Sequence, residues 1–216
     1  MVRKLLAVLI VCLAVLGGSP AHAGKQLSVR DEPEVSGPLD LAGKQCDSQM
    51  LKANGRPVLK VAFCIYLYAF DPLFEIDLER DYGVVWAQAS FDAMKGFCTT
   101  ALSYYIEVSP GTEIYERTPP QEIKSTKRAP LGVQVNAVAG GAAIERGLVS
   151  QQFQLLPGKM TPTGEDGEPR VGVAWSGRTP EKLAFATGAE IGWPWLSSPQ
   201  LRIGADTIRL TTGPGC

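Results

Sequence analysis

Residues Gly83–Val108 read GVVWAQASFDAMKGFCTTALSYYIEV. The segment divides into two strands around a turn that carries Asp92 and Gly96. Aspartate favours such a place by hydrogen-bonding nearby backbone, and glycine by tolerating positive φ. In the second strand Cys98, Thr100, Leu102, Tyr104, Ile106 and Val108 share one face, and Phe97, Thr99, Ala101, Ser103, Tyr105 and Glu107 share the other. A two-residue period is the mark of a strand with one face in a core. The expectation is a β-hairpin whose second arm begins at Cys98.

Upstream, Val58–Phe70 (VLKVAFCIYLYAF) is apolar on both faces, with Asn54-Gly55 before it and Asp71-Pro72 after it. Its β-branched and aromatic residues favour a central strand over a buried helix. Phe74, Ile76 and Leu78 alternate with Glu75, Asp77, Glu79 and Asp81, which predicts a strand with four carboxylates on one face. Ser109–Pro130 carries four prolines and reads as a long crossing connection, with a short strand at Glu113–Glu116. Further candidate strands are Gly132–Ala137, Val149–Leu156, Val171–Trp175, Lys182–Ala186, Gln200–Ile203 and Thr207–Thr211, with a helical turn at Gly140–Gly147 and an exposed loop at Thr161–Pro169. Nine to eleven short strands separated by glycine and proline predict an all-β fold. The expected arrangement is a single β-sandwich or jelly-roll-like domain over residues 46–216, stapled by disulfides. Gly24–Gln45, polar and without periodicity, reads as an extended lead-in. Two immunoglobulin-like domains are the competing arrangement, and the lone cysteine in the second half opposes it.

Residues 1–23 have a basic start (Arg3, Lys4), an apolar run from Leu5 to Leu16 and the small-residue stretch Ala21-His22-Ala23. This is the form of a cleaved signal peptide, and the run is shorter than a membrane span of roughly 20 residues. Export to the cell surface, the periplasm or the medium is expected, with no membrane insertion after cleavage. Removing Arg3 and Lys4 takes the net charge from −1 to −3. That near balance offers no electrostatic footprint for nucleic acid or an anionic membrane surface. It leaves Cys46, Cys64, Cys98 and Cys216, an even set that predicts two disulfides in an oxidising compartment. Three pairings are open, and Cys64–Cys98 with Cys46–Cys216 is preferred because Cys64 and Cys98 fall on candidate neighbouring strands.

His22, the one histidine, lies in the signal. Nucleophiles that rely on an imidazole base, and histidine-ligated metals, are therefore not expected. Ala174-Trp175-Ser176-Gly177 departs from a nucleophile elbow at its first position, and Gly140-Gly141 lacks the spacing of a dinucleotide-binding loop. No catalytic residue, metal or cofactor is assigned. Carboxylates remain: Glu75–Asp81 and Glu165–Glu168 could supply an acid pair or oxygen ligands for a cation. The plainer reading makes them solvated charge on an edge strand and a turn.

The aromatics supply the binding candidates Trp193, Trp195, Tyr66 and Tyr68. Trp193-Pro194-Trp195 is a stiff pair of indoles in a loop-like context, suited to a sugar ring or a protein partner. Trp86 and Trp175 read as core. The expected function is a non-enzymatic exported β-domain that binds a cell-envelope component, a carbohydrate or a protein. A carboxylate-dependent glycan hydrolase and a structural part of an envelope assembly are the alternatives.

Overall fold

A computed structural model describes residues 9–11, 32–71, 79–137, 146–164 and 168–216. In chain order the first seven strands are β1 (Leu9–Val11), β2 (Glu34–Ser36), β3 (Leu39–Ala53), β4 (Arg56–Phe70), β5 (Arg80–Ala93), β6 (Cys98–Val108) and β7 (Glu113–Thr118). They are followed by β8 (Ile123–Ser125), β9 (Ala129–Ala137), β10 (Gly147–Leu155), β11 (Gly158–Thr163), β12 (Arg170–Thr179), β13 (Leu183–Pro194) and β14 (Leu201–Thr211). Among the described residues the chain is all-β, with sandwich-like sheets, two disulfides and no closed barrel.

A five-stranded sheet of order β3-β4-β5-β13-β7 lies in the middle, between a sheet of order β1-β14-β6-β12-β11-β8 and one of order β2-β10-β9. This explains the doubly apolar run on β4. Val61, Phe63, Ile65 and Leu67 enter a large core shared with the β6 sheet, while Cys64, Tyr66, Tyr68 and Phe70 enter a smaller one under β9 and β10. β3 and β4 form a hairpin through Asn54 (φ 51°) and Gly55 (φ 77°), the left-handed pair that a two-residue turn demands. Beside Trp86 the neighbouring strand carries Gly188, where any Cβ would sit 2.8 Å from the indole.

The expected hairpin over Gly83–Val108 is corrected. Both strands exist, but β5 pairs with β4 and β13, whereas β6 pairs with β12 and β14. The turn after Ala93 carries the chain from the middle sheet to an outer one. β5 is buried on both faces from Gly83 to Phe91, so it needs a layer above and a layer below. β6 supplies one of them with the face that its period marks, through Leu102, Tyr104, Ile106 and Val108. The Tyr104 hydroxyl crosses the interface and shares its proton between the carbonyls of Ala87 and Phe185, at 3.1 and 2.9 Å.

The preferred disulfide pairing is also corrected. The bonds are Cys46–Cys64 and Cys98–Cys216. Cys46 and Cys64 are opposite each other in the β3–β4 register with Cα atoms 4.1 Å apart. Cys64 faces the smaller core, away from the sheet that holds Cys98. The extended lead-in ends earlier than the sequence suggests, because Leu39–Gln45 belongs to β3, which is an almost wholly exposed edge and shows no apolar period for that reason. Gln200–Ile203 and Thr207–Thr211 are one strand, β14, with a register shift between Gly204 and Thr207. Gly158–Thr163 takes part of the expected loop into β11. The expected signal peptide apart from β1, the strand through residues 74–78, most of the helical turn at 140–147 and the acidic turn 165–167 lie outside the described residues.

Candidate functional site

β13 delivers the two indoles of the Trp-Pro-Trp segment to different places. Ile191 and Trp193 alternate into the large core, and Trp193 is 4% exposed. Trp193 is thus a core side chain. Pro194 closes the strand, and the chain turns at Trp195 and Leu196, which are 54% and 82% exposed. Leu196 holds φ at 60°, a left-handed conformation uncommon for leucine. Backbone hydrogen bonds pin the turn: the Trp195 amide donates to the Glu79 carbonyl at 3.0 Å and the Ser197 amide to the Pro194 carbonyl at 3.1 Å.

The same end of the middle sheet gathers polar and aromatic groups that the sequence reading did not single out. Arg80 donates through Nη2 to Glu113 Oε1 at 2.7 Å and points Nη1 at the carbonyls of Gly111 and Gly192. Tyr115, 47% exposed, donates its hydroxyl to Glu113 Oε2 at 2.9 Å and leans on Tyr82 with ring centroids 6.0 Å apart. Burial pushes the Tyr115 phenol up, and the hydrogen bond to Glu113 adds to the rise. The signal for Tyr115 is its place on the outward side of the Glu113–Thr118 period, beside the inward Ile114. Leu196 had a plainer signal, an aliphatic residue stranded among Trp195, Ser197 and Ser198.

Tyr66 and Tyr68 are together but covered, stacked with centroids 6.1 Å apart. They sit on the buried β4 face with a chain of amides. Gln88 Nε2 donates to the Tyr66 hydroxyl at 2.9 Å, and Gln151 Nε2 donates to Gln88 Oε1 at 2.7 Å. Trp86 Nε1 donates to Gln151 Oε1 at 3.4 Å. Lys44 covers the edge, its ammonium 5.2 Å from the Tyr66 ring centre and paired with Glu32. Burial raises the pKa of both tyrosines, so they stay neutral donors and acceptors across the usual pH range. The network satisfies polar groups that would be costly to bury alone. Trp86 and Trp175 are fully buried core residues.

Of the two acidic stretches, Glu75, Asp77 and residues 165–167 lie outside the described residues. Asp81 is on β5, opposite Trp193. Among the described residues no group of three or more His, Cys, Asp or Glu is placed to hold a metal ion.

Among the described residues, the fold and this end define a layered, disulfide-bonded β-protein with an exposed aromatic turn. No family model matches the chain, and none of the curated proteins matches it either. Among solved structures it is similar to one described as a pore forming protein, at 5% identity and a TM-score of 0.44, covering 80% of this chain and 93% of that one. It is also similar to the Clostridium perfringens NetB toxin in the membrane inserted form, at 7% identity and a TM-score of 0.32, covering 82% of this chain and 94% of that one. The expectation of no membrane insertion is withdrawn. It rested on the length of apolar runs, a test that detects only helical spans. No helix among the described residues is long and apolar enough to cross a membrane. Strands cross membranes by alternation and need no such run.

Proposed function

We propose that this protein is an exported, non-enzymatic β-protein that attaches to the cell envelope through the turn at Trp195 and Leu196. One observation carries the reading: of four tryptophans three are buried, and the fourth stands out beside the most exposed leucine of the described chain, on a turn held by backbone hydrogen bonds. An indole next to an aliphatic side chain suits the headgroup level of a bilayer, where the ring meets both apolar and polar surroundings. Burying both side chains is worth roughly 3–5 kcal/mol, enough for weak attachment by a single copy. With a mature charge of −3 the attraction is not electrostatic, so it is insensitive to salt. Two disulfides fit a periplasmic, cell-surface or secreted location.

The expected experiment is sedimentation with phosphatidylethanolamine–phosphatidylglycerol vesicles. Wild type pellets with the vesicles at low and at high salt, and its tryptophan emission shifts to the blue as Trp195 leaves water. Trp195→Ala with Leu196→Ala abolishes pelleting while the melting temperature stays within about 2 °C, as expected for exposed side chains. Wild type that stays in the supernatant, or pelleting untouched by the double substitution, contradicts the proposal. A second reading, a carbohydrate stacked on Trp195, is favoured by the nearby Arg80–Glu113 pair and the Tyr115 phenol, which could hydrogen-bond hydroxyls. Retention on an insoluble polysaccharide, lost on Glu113→Gln, would support it over the bilayer.

A further inference from the structure

A net charge near zero hides a segregation that the fold creates. Strand register lines up one row across the six-stranded sheet: Lys124 is opposite Lys159, Lys159 opposite Ser176, Ser176 opposite Ala101, and Ala101 opposite Arg209. Residues directly opposite each other share a face. This face is the outer one, because the adjoining row of Ile123, Met160, Trp175, Leu102 and Ile208 packs in the large core. Ser176 and Ala101 are short, so they form the floor of a shallow trough between Lys159 and Arg209, three strand spacings or about 14 Å across.

The cations of the row are not cancelled. Arg209 is exposed and has no ion-pair partner among the described residues. Lys124 and Lys159 share one carboxylate, that of Glu122, at 3.0 and 2.5 Å. One positive charge is left over, and like charges directly opposite each other on neighbouring strands are unfavourable. Arg178, exposed at the end of β12, donates Nη2 to the neutral carbonyl of Pro214 at 3.0 Å. Toward Val108 the same face is balanced instead: Arg170 and Arg202 both pair with Glu107, and Asp206 acts on Arg170 as well.

We propose that the Lys159–Arg209 half of this outer face binds an acidic polysaccharide, its carboxylates ranged along the row. A polymer fits because the cations extend over four strand spacings, about 19 Å, instead of meeting at one point. The exposed Ser176 hydroxyl is placed to hydrogen-bond a sugar hydroxyl. A bilayer fits poorly, since the exposed large hydrophobic side chains of the described chain are on β2, β3, β7 and the turn after β13, none on this sheet. Nucleic acid would want a ring for its bases to stack on, and Tyr105 is covered by the Arg170 guanidinium, 4.6 Å from the ring centre. Such binding weakens as salt screens it, unlike the attachment proposed at Trp195.

The test applies the exported full chain, both disulfides intact, to polygalacturonate resin and to neutral dextran resin. It should be held on the first at about 20 mM salt, leave it by about 0.5 M, and pass through the second. Arg209→Glu should weaken the binding about tenfold, and Arg209→Gln severalfold. Arg146→Glu makes the same change in net charge at an exposed residue just before β10, and should alter binding less than about twofold. All three should melt within about 2 °C of wild type. Passage through polygalacturonate at low salt, equal retention on neutral dextran, or equal behaviour of Arg209→Glu and Arg146→Glu would overturn the proposal. Tighter retention on single-stranded DNA, or vesicle pelleting that is lost in Arg209→Glu, would overturn it too, giving the face to nucleic acid or to the bilayer. Trp195→Ala with Leu196→Ala should leave retention on polygalacturonate unchanged, so the two proposals fail separately.

Discussion

Trp193 and Trp195 are two residues apart and should answer substitution in opposite ways. Trp193→Ala opens a cavity in the large core and should cost about 3–5 kcal/mol, read as a lower urea midpoint. Trp195→Ala should cost less than about 0.5 kcal/mol, because its ring makes little of the core. Equal destabilisation by the two would mean that the turn is structural. Tyr104 gives the pH dependence. Its burial between sheets holds the folded-state pKa well above the ordinary value of 10.0, against the smaller opposing effect of a hydrogen bond from the Thr187 backbone. Above pH 10 the unfolded chain releases this proton and the folded chain keeps it, so the stability present below pH 10 falls as pH rises from there. Tyr66 and Tyr68 have the same sign. Urea unfolding at successive pH values should show that decline, and Tyr104→Phe should make it shallower while costing about 1–2 kcal/mol at neutral pH for the lost hydrogen bond.

At the scale of elements, the two disulfides close loops of very different length. Cys46–Cys64 spans 18 residues within one hairpin, and Cys98–Cys216 spans 118 residues and ties the carboxyl terminus to the start of β6. Chain entropy gives about 3 kcal/mol for the first and about 5 kcal/mol for the second. Replacing Cys98 and Cys216 by serine should therefore lower the melting temperature more than replacing Cys46 and Cys64, as calorimetry would show. The legibility of the elements follows from what covers them. β4 and β6 could be read because a buried face leaves a period, or a continuous apolar run, in the sequence. β3 could not, because a solvated edge is held by backbone hydrogen bonds that any residues can make. The partner of β5 was also hidden. A short turn between two strands is the same sequence signal whether the chain folds back in one sheet or steps across to the next. The buried Gln88 of the Tyr66 network looks like a surface residue until the third layer, whose β10 supplies its partner Gln151, is known to cover it. The exposed indole was legible as a pair with Trp193, and only the end of β13 separates one from the other.

For the whole molecule, the middle sheet decides where function can lie. Both faces of β4, β5 and β13 are covered, so the exposed aromatics at the Trp195 end lie on the edge strand β7 and in the turn after β13. Trp195, Leu196 and Tyr115 are at that end, and Tyr66 and Tyr68 are on a covered face. The central claim is that this end is a contact surface, and the most direct check is tryptophan emission of the intact protein titrated with the vesicles named above. A blue shift that saturates in wild type and vanishes in Trp195→Phe, with Trp86, Trp175 and Trp193 as silent internal references, is the predicted result. An emission spectrum unmoved by vesicles, or a shift that persists in Trp195→Phe, would contradict it.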